Sequence, residues 1–210
     1  IVGMVIGAVM FYFQDSMFFP AISKTPVWKM LIVMVIGFTL FPVGRSLDIH
    51  GWGEMHPLNG PAWSLFYEYI GNILYALFIR KLPNKILAIL VFIAGAFLIH
   101  LSITDGNISG GWSVNSVQLR IGFTRLMYPF LTGILLSRIV RPGQIKNAFF
   151  WSSLLLALVL SVPYIGNEEH SWMNGLYAAV SVIIIFPIIV YIGASGEVTG
   201  KFASKLCKFL

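Results

Sequence analysis

Residues 175–194 read GLYAAVSVIIIFPIIVYIGA, a stretch that carries no charged side chain. About 20 apolar residues in a helix are enough to cross the roughly 30 Å hydrocarbon core of a membrane. The rest of the chain shares this character, because 58% of its 210 residues are hydrophobic and 10% are charged. In soluble globular domains about 45–50% of the residues are apolar and about 25% are charged. The composition therefore excludes an ordinary water-soluble domain.

Six further apolar stretches precede this one, and polar connections separate all seven. The stretches cover residues 1–13, 27–43, 61–79, 86–101, 119–136, 148–165 and 175–194. None alternates with the period of a membrane β-strand, and backbone groups in lipid must be satisfied within each segment. The sequence therefore predicts an all-α fold, a polytopic transmembrane bundle of about seven helices.

The chain shows no internal repeat, low-complexity linker or break in composition. We therefore expect residues 1–210 to form a single transmembrane domain. The chain begins inside an apolar stretch without an initiator methionine, which favours an internal piece of a longer protein. A single cysteine, Cys207, excludes an internal disulfide framework. The net charge of +6 is not arranged as a basic stripe, so nucleic acid is not expected as a partner.

Basic residues are distributed unevenly between alternate connections. By our count, 11 of the 14 lysines and arginines fall in one set of connections, which includes residues 80–85, 138–147 and 196–210. The excess of lysine and arginine in cytoplasmic loops of membrane proteins places this set at the cytoplasm. The other set, residues 45–60, 102–118 and 166–173, is then predicted to face outside.

Two charged residues, Glu68 and Arg125, lie well inside predicted spans, where a charge is costly unless it is paired or functional. Both are about two turns into helices that enter from the outside, so both lie roughly 10 Å below the outer surface. Equal depth predicts that they lie near one another. Ser64, Glu68 and Asn72 recur every four residues and share one face of their helix. The alternative is a purely structural pair, with the serine and asparagine bonding neighbouring helices.

Other residues that could take part in binding or catalysis show weaker patterns. Pro129, four residues after Arg125, lacks a backbone donor and is expected to bend its helix. Residues 106–111 form a polar turn segment and not a phosphate loop, and Asn107 begins a glycosylation acceptor pattern. The histidines do not have the spacing of metal ligands, so no metal site is expected; they are His50, His56, His100 and His170.

Two runs of sequence resemble the membrane-bound acyltransferase family 3. PLNGPAWSLFYEY at residues 57–69 is similar to that family's Trp-Ser-Leu-x-x-Glu signature. RLMYPFLTG at residues 125–133 is similar to the family's helix that carries an arginine, an aromatic residue and a glycine before a basic cytoplasmic loop. The resemblance extends through essentially the whole chain. It carries over to Trp63, Ser64, Glu68, Arg125 and Gly133.

The resemblance implies an integral, multi-pass membrane enzyme, which we expect in a bacterial inner membrane. Such an enzyme moves an acyl group, usually acetyl, from acyl-CoA to a hydroxyl of a carbohydrate or other extracytoplasmic acceptor. Its partners would be the lipid bilayer, the donor and the acceptor, with no permanently bound cofactor. Glu68 and Arg125 are expected to be catalytic, and Trp63, Ser64 and Asn72 to bind substrate. The family's essential histidine has no counterpart in residues 1–210, which are interpreted as a partial domain lacking the first and last helices.

A different class of protein is also compatible with the sequence. A multi-pass transporter or flippase for a polar or lipid-linked substrate would use the polar stripe to line a path. A structural membrane subunit is a third interpretation. An arginine and a histidine about ten residues apart on a helix before residue 1 would favour the enzyme. An inverted copy of the third to fifth helices would favour transport.

The predicted orientation can be tested by cysteine accessibility. Cysteine in place of Asn107 should react with an impermeant reagent in intact cells, because residues 102–118 are predicted to face outside. A cysteine in residues 138–147 should react after the membrane is permeabilised. Labelling of the residue 107 variant only after permeabilisation would reverse the orientation.

Overall fold

The computed structural model describes residues 1–13, 20–165 and 168–196. Cys207 and the predicted cytoplasmic residues 197–210 lie outside the described residues. The part of the chain that is described is helical, without β-strands, and an isolated antiparallel bridge joins Glu54 to Ser113. Its helices are α1 (Val2–Phe13), α2 (Val27–Phe38), α3 (Ala62–Leu77), α4 (Asn84–Asp105), α5 (Ser116–Ile139), α6 (Ala148–Leu160) and α7 (Ser171–Ala194). The all-α fold and the seven predicted helices are confirmed.

The helices differ in their capacity to cross a membrane. By length and composition, α4 and α7 are long and apolar enough to span. The apolar helices α1, α2 and α6 have 12 or 13 residues, fewer than the roughly 20 that a full crossing needs. The predicted span 27–43 ends as a helix at Phe38, because the chain turns at Leu40, whose φ is 60°.

The chain divides into two compact units. The first contains Ile1–Leu82 and Ser109–Met127, and the second contains Pro83–Ile108 and Tyr128–Leu210. The first unit therefore includes α1, α2, α3 and the first half of α5, with the predicted site residues. That residues 1–210 form one functional domain stays a prediction.

The core of the first unit forms where α1 packs against α2. Their inward residues recur at helical spacing, and loop residues complete the cluster: Met4, Ala8, Phe11, Ile22, Met30, Val33, Val43, Ile49, Leu58 and Ala62. At Gly7 a Cβ atom would overlap the backbone carbonyl of Leu58. Glycine at this position lets the chain that leads into α3 lie directly against α1.

The connection between α2 and α3 doubles back along the α1–α2 hairpin. Lys29, in the first turn of α2, donates from Nζ to the backbone carbonyl of Asp48 at 2.8 Å. The His50 ring stacks on Phe11, near the end of α1, with 5.7 Å between ring centroids. At the base of this segment, Val43 N–H donates to the carbonyl of Met55 at 2.9 Å. Residues 48–53 therefore lie beside the start of α2, far from the helix end at which the connection begins.

This position differs from that of a simple loop beyond the end of α2; the side of the membrane that residues 45–60 face stays a prediction. The turn is closed by the Asp48 carboxylate, which accepts hydrogen bonds from the backbone N–H groups of residues 50, 51 and 53 at 3.1, 2.9 and 2.7 Å. These bonds satisfy backbone donors that water would satisfy in an exposed loop. Loop composition alone does not distinguish the two arrangements.

In the second unit, α4 packs against α7. Leu87, Ala94, Leu98 and Leu101 form the buried face of α4, and a Cβ at Gly175 would overlap the backbone of Ser102. A π-helical segment, Ser181–Ile185, interrupts α7. The Tyr128 hydroxyl donates to the Ile183 carbonyl within it at 3.1 Å. α5 continues through Pro129, and the bend expected there stays a prediction.

The doubled-back segment has a topological consequence that labelling can test. In a Cys207→Ser background, Trp52→Cys should react from the same side of the membrane as Ser23→Cys, near the start of α2. Phe41→Cys, just beyond the end of α2, should react from the other side. All three positions are exposed. If Trp52→Cys reacts only from the side of Phe41→Cys, residues 48–53 form an ordinary loop in the membrane.

Candidate functional site

Arg125 and Trp63 form the centre of the candidate site. The carbon of the Arg125 guanidinium lies 4.8 Å from the centroid of the Trp63 ring. Nη1 of Arg125 donates to the backbone carbonyl of Gly110 at 2.6 Å. A cation over an indole ring gains about 0.5–2 kcal/mol, with the larger value where water is absent. The charge is therefore stabilised by an aromatic face and a peptide carbonyl.

Gly110 and Gly111 bring the loop before α5 against these side chains. Their φ angles are 134° and 105°, a region that residues with a Cβ rarely adopt. A Cβ at Gly111 would stand 2.9 Å from the Trp63 ring and 3.0 Å from the Cα of Gly122. The N–H of Gly111 donates to Oε1 of Gln118 at 2.5 Å. The two glycines thus let the loop backbone cover the ring and bond the arginine.

Tyr67 fills the space between α3 and α5 beside this cation. Its side chain is 2% exposed. Its ring meets those of Trp63, Phe66 and Phe123 edge-on at centroid distances of 6.1, 5.3 and 5.2 Å. A Cβ at Gly122 would overlap the end of the phenol. Gly122 therefore allows α5 to approach the tyrosine.

Glu68 lies on a different side of α3 from Trp63 and Tyr67. It is exposed, as is Asn72, and Ser64 is half-buried. That the two residues Glu68 and Arg125 lie near one another stays a prediction, but among the described residues no ion pair joins them, so the expected charge pair is not formed. The reason is helical periodicity, because Tyr67 and Gly71 occupy the buried face and residues 64, 68 and 72 point elsewhere.

The polar residues of this stripe bond within their own helix. The Ser64 hydroxyl donates to the carbonyl of Pro61 at 3.1 Å. The Asn72 amide donates to the backbone carbonyl of Glu68 at 2.8 Å. The alternative in which Ser64 and Asn72 bond neighbouring helices is therefore also wrong. The shared face of the three residues remains, but it is directed outward.

Two histidines lie in the connection that leads to α3. His56 is 3% exposed, and its Nε2–H donates to the carbonyl of Leu40 at 3.1 Å. Burial lowers the pKa of His56, and the hydrogen bond to Leu40 partly opposes this shift. His56 is thus a neutral ring at pH 7. His50 faces the Glu54 carboxylate, with Nδ1 and Oε2 2.7 Å apart.

Sequence reasoning found Trp63 and Arg125 but missed four residues that organise them. Gly110, Gly111, Tyr67 and Gly122 were read as a turn or as apolar helix. A pair of glycines before an apolar helix that contains an arginine is a signal that could have identified the first two. Gly133, carried over with the resemblance, has no neighbour within 4 Å of its Cβ position in the described part of the chain, where no packing requirement explains it.

The described helices hold a half-buried arginine over an aromatic ring, and two of these helices are long and apolar enough to cross a membrane. A family model described as an acyltransferase domain matches residues 2–210. The chain therefore belongs to acyltransferase family 3, which confirms the resemblance, and it is an acyltransferase of that kind. No curated protein and no solved structure matches it.

The two glycines on α5 provide a matched test of the site's packing. Gly122→Ala should lower the free energy of unfolding by about 1–3 kcal/mol, because the added methyl group overlaps Tyr67. Gly133→Ala should be neutral or stabilise by up to about 1 kcal/mol, because alanine favours helix more than glycine does. Thermal unfolding in detergent measures both. Equal stability of the two variants would contradict the close approach at Gly122.

Proposed function

We propose that the protein moves an acyl group, usually acetyl, from acyl-CoA to a hydroxyl of a carbohydrate or other extracytoplasmic acceptor. The observation that supports this most strongly is the Arg125 guanidinium fixed over Trp63, the first residue of the family's signature. A cation that is fixed in place and partly removed from water stabilises developing negative charge more than a mobile one in solvent does. Acyl transfer develops such a charge on the thioester oxygen.

The reaction requires four changes of bonding. The oxygen of the acceptor hydroxyl attacks the thioester carbon, and the electron pair of the C=O bond moves onto oxygen. When that pair returns, the carbon–sulfur bond breaks and an ester remains. The proton of the hydroxyl passes to a general base and then to the departing sulfur, so the products are the ester and the free thiol. Positioned proton transfer of this kind contributes about 10²–10⁴-fold.

In this mechanism Arg125 stabilises the oxyanion. A guanidinium has five N–H donors, and the hydrogen bond to Gly110 uses one of them. The others can donate to an oxygen of the substrate. Trp63 fixes the plane of the guanidinium, and its ring is a surface against which a sugar or acyl group can pack. Gly110 determines the direction of the arginine.

Glu68, Ser64 and Asn72 bind the acceptor in this proposal. The Glu68 carboxylate is exposed and can accept hydrogen bonds from acceptor hydroxyls. Because it is not paired with Arg125, its negative charge does not neutralise the cation. The two charges can therefore serve different reactants: Arg125 binds the acyl oxygen, and Glu68 positions the acceptor from the exposed side of α3.

We also propose that the protein is a multi-pass protein of a bacterial inner membrane, where a cytoplasmic acyl-CoA and an external acceptor are both within reach. The exposed polar face of α3 is the observation that favours the competing class. A transporter or flippase would line its path with Glu68 and Asn72. Transport would move the acceptor unmodified, so a mass increase of the product by one acyl group distinguishes the two.

Charge removal tests the catalytic assignment in the full-length protein. Arg125→Gln should lower kcat for acyl transfer by about 10²–10³-fold, the usual loss when one oxyanion donor is removed. Glu68→Gln should also lower kcat and leave folded yield unchanged, because Glu68 is exposed. Transfer of radiolabelled acetyl from acetyl-CoA to membrane carbohydrate measures the rate.

Arg120→Gln is the matched control, because Arg120 lies on the same helix but is exposed. It should retain normal transfer. The effects of Glu68→Gln and Arg125→Gln on folded yield should add, since residues that are not in contact couple weakly. A well-folded Glu68→Gln, Arg125→Gln double variant with near-normal transfer would remove both residues from the mechanism.

A further inference from the structure

The hydroxyl of Tyr67 has no hydrogen-bond partner among the described residues, although it is fully buried. Other tyrosines in the interior do not share this property. Tyr177 donates to the carbonyl of Val159 at 2.6 Å, and Tyr128 donates to that of Ile183 at 3.1 Å. A buried polar group without a partner destabilises the folded protein. A phenylalanine would fill the same space without that cost, so the hydroxyl requires an explanation.

The position of this hydroxyl places it in the site. Tyr67 follows Trp63 by one turn of α3, and the end of its phenol lies against Gly122, about one turn before Arg125 on α5. Gly111 contacts both Trp63 and Gly122 at the same place. The unpartnered hydroxyl therefore lies against Gly122 on a ring that packs on Trp63, the residue whose face carries the Arg125 guanidinium.

The chemistry of the surrounding groups indicates what this hydroxyl can bind. Three aromatic rings enclose the phenol, and such rings supply no conventional acceptor. Arg125 provides donors and no acceptor, and the Glu68 carboxylate is on the exposed side of α3. The O–H group therefore needs an acceptor oxygen from a bound molecule. Apolar surroundings strengthen a hydrogen bond to an oxygen that becomes negative.

We infer that the Tyr67 hydroxyl donates a hydrogen bond to the carbonyl oxygen of the acyl thioester and stabilises it as it becomes an oxyanion. This inference rests on the proposed acyl transfer and adds a second donor beside Arg125. Tyr67 keeps its proton throughout. The oxygen of the carbohydrate hydroxyl forms the new bond to the thioester carbon, and the carbon–sulfur bond breaks. The proton of that hydroxyl ends on sulfur. In the described part of the chain no group accepts a hydrogen bond from the Tyr67 hydroxyl, which leaves it available to the substrate.

Tyr67→Phe removes this hydroxyl and keeps the ring. In full-length protein it should leave the thermal unfolding midpoint unchanged or raise it, because an unsatisfied group is lost. It should lower kcat by about 10²-fold, as expected for one oxyanion donor, with little change in KM for acetyl-CoA. Tyr177→Phe is the matched control. It should lower the unfolding midpoint, because the bond to Val159 is lost, and leave kcat unchanged.

A second substitution tests the donor role without deleting the group. With 3-fluorotyrosine in place of Tyr67, the more acidic phenol should change kcat and leave the unfolding midpoint nearly constant. A folded Tyr67→Phe variant with normal kcat, or a kcat unaffected by fluorination, would overturn the inference while Arg125→Gln still impairs transfer. Wild-type protein that transfers no acetyl group from acetyl-CoA would overturn the proposed function itself and the inference with it.

Discussion

A cation half-buried in an apolar helical unit loses part of its contact with water, and the arrangement around Arg125 follows from that constraint. The Trp63 face and the Gly110 carbonyl replace part of the hydration that the guanidinium loses. A peptide carbonyl can reach the arginine only if its loop lies flat on the helices, which accounts for the positive φ at Gly110 and Gly111. One half-buried charge thus accounts for the conformation of the loop and for the aromatic residue beside it, while Gly122 sets the approach of α5 to Tyr67.

Glycines in the first unit allow neighbouring segments to pack directly against helix backbone. The main chain at Leu58 lies directly on α1 at Gly7, and Tyr67 lies directly on α5 at Gly122. Small residues allow such approach, and the van der Waals packing that results stabilises the association of these segments. The short helices α1 and α2 are complemented by residues 48–53, which lie alongside them. Loops contribute to the core of this unit as well as helices, because hydrogen bonds within the loops satisfy their backbone groups when they pack against the helices.

Because Glu68 and Arg125 do not form an ion pair, both charges are available in the proposed reaction. A salt bridge would neutralise both groups and leave neither charge available to a substrate. The cation is held by groups that do not cancel it, and the carboxylate is held on another side of α3. The Tyr67 hydroxyl is likewise available to a substrate, because it has no hydrogen-bond partner in the described part of the chain. In each case the protein forgoes some stability, which is common where function requires a poised group.

The sequence by itself determined the helical class, the number of helices and the family, because hydrophobic length and a contiguous signature are local properties. It also identified Trp63 and Arg125 as residues that require explanation, since charge in an apolar helix is visible in one dimension. It misjudged the Glu68–Arg125 pair because equal depth does not specify the direction of a side chain around each helix axis. Only the tertiary structure decided that Arg125 bonds Gly110, that Tyr67 packs on Gly122 and that residues 48–53 turn back, because these contacts join segments distant in sequence.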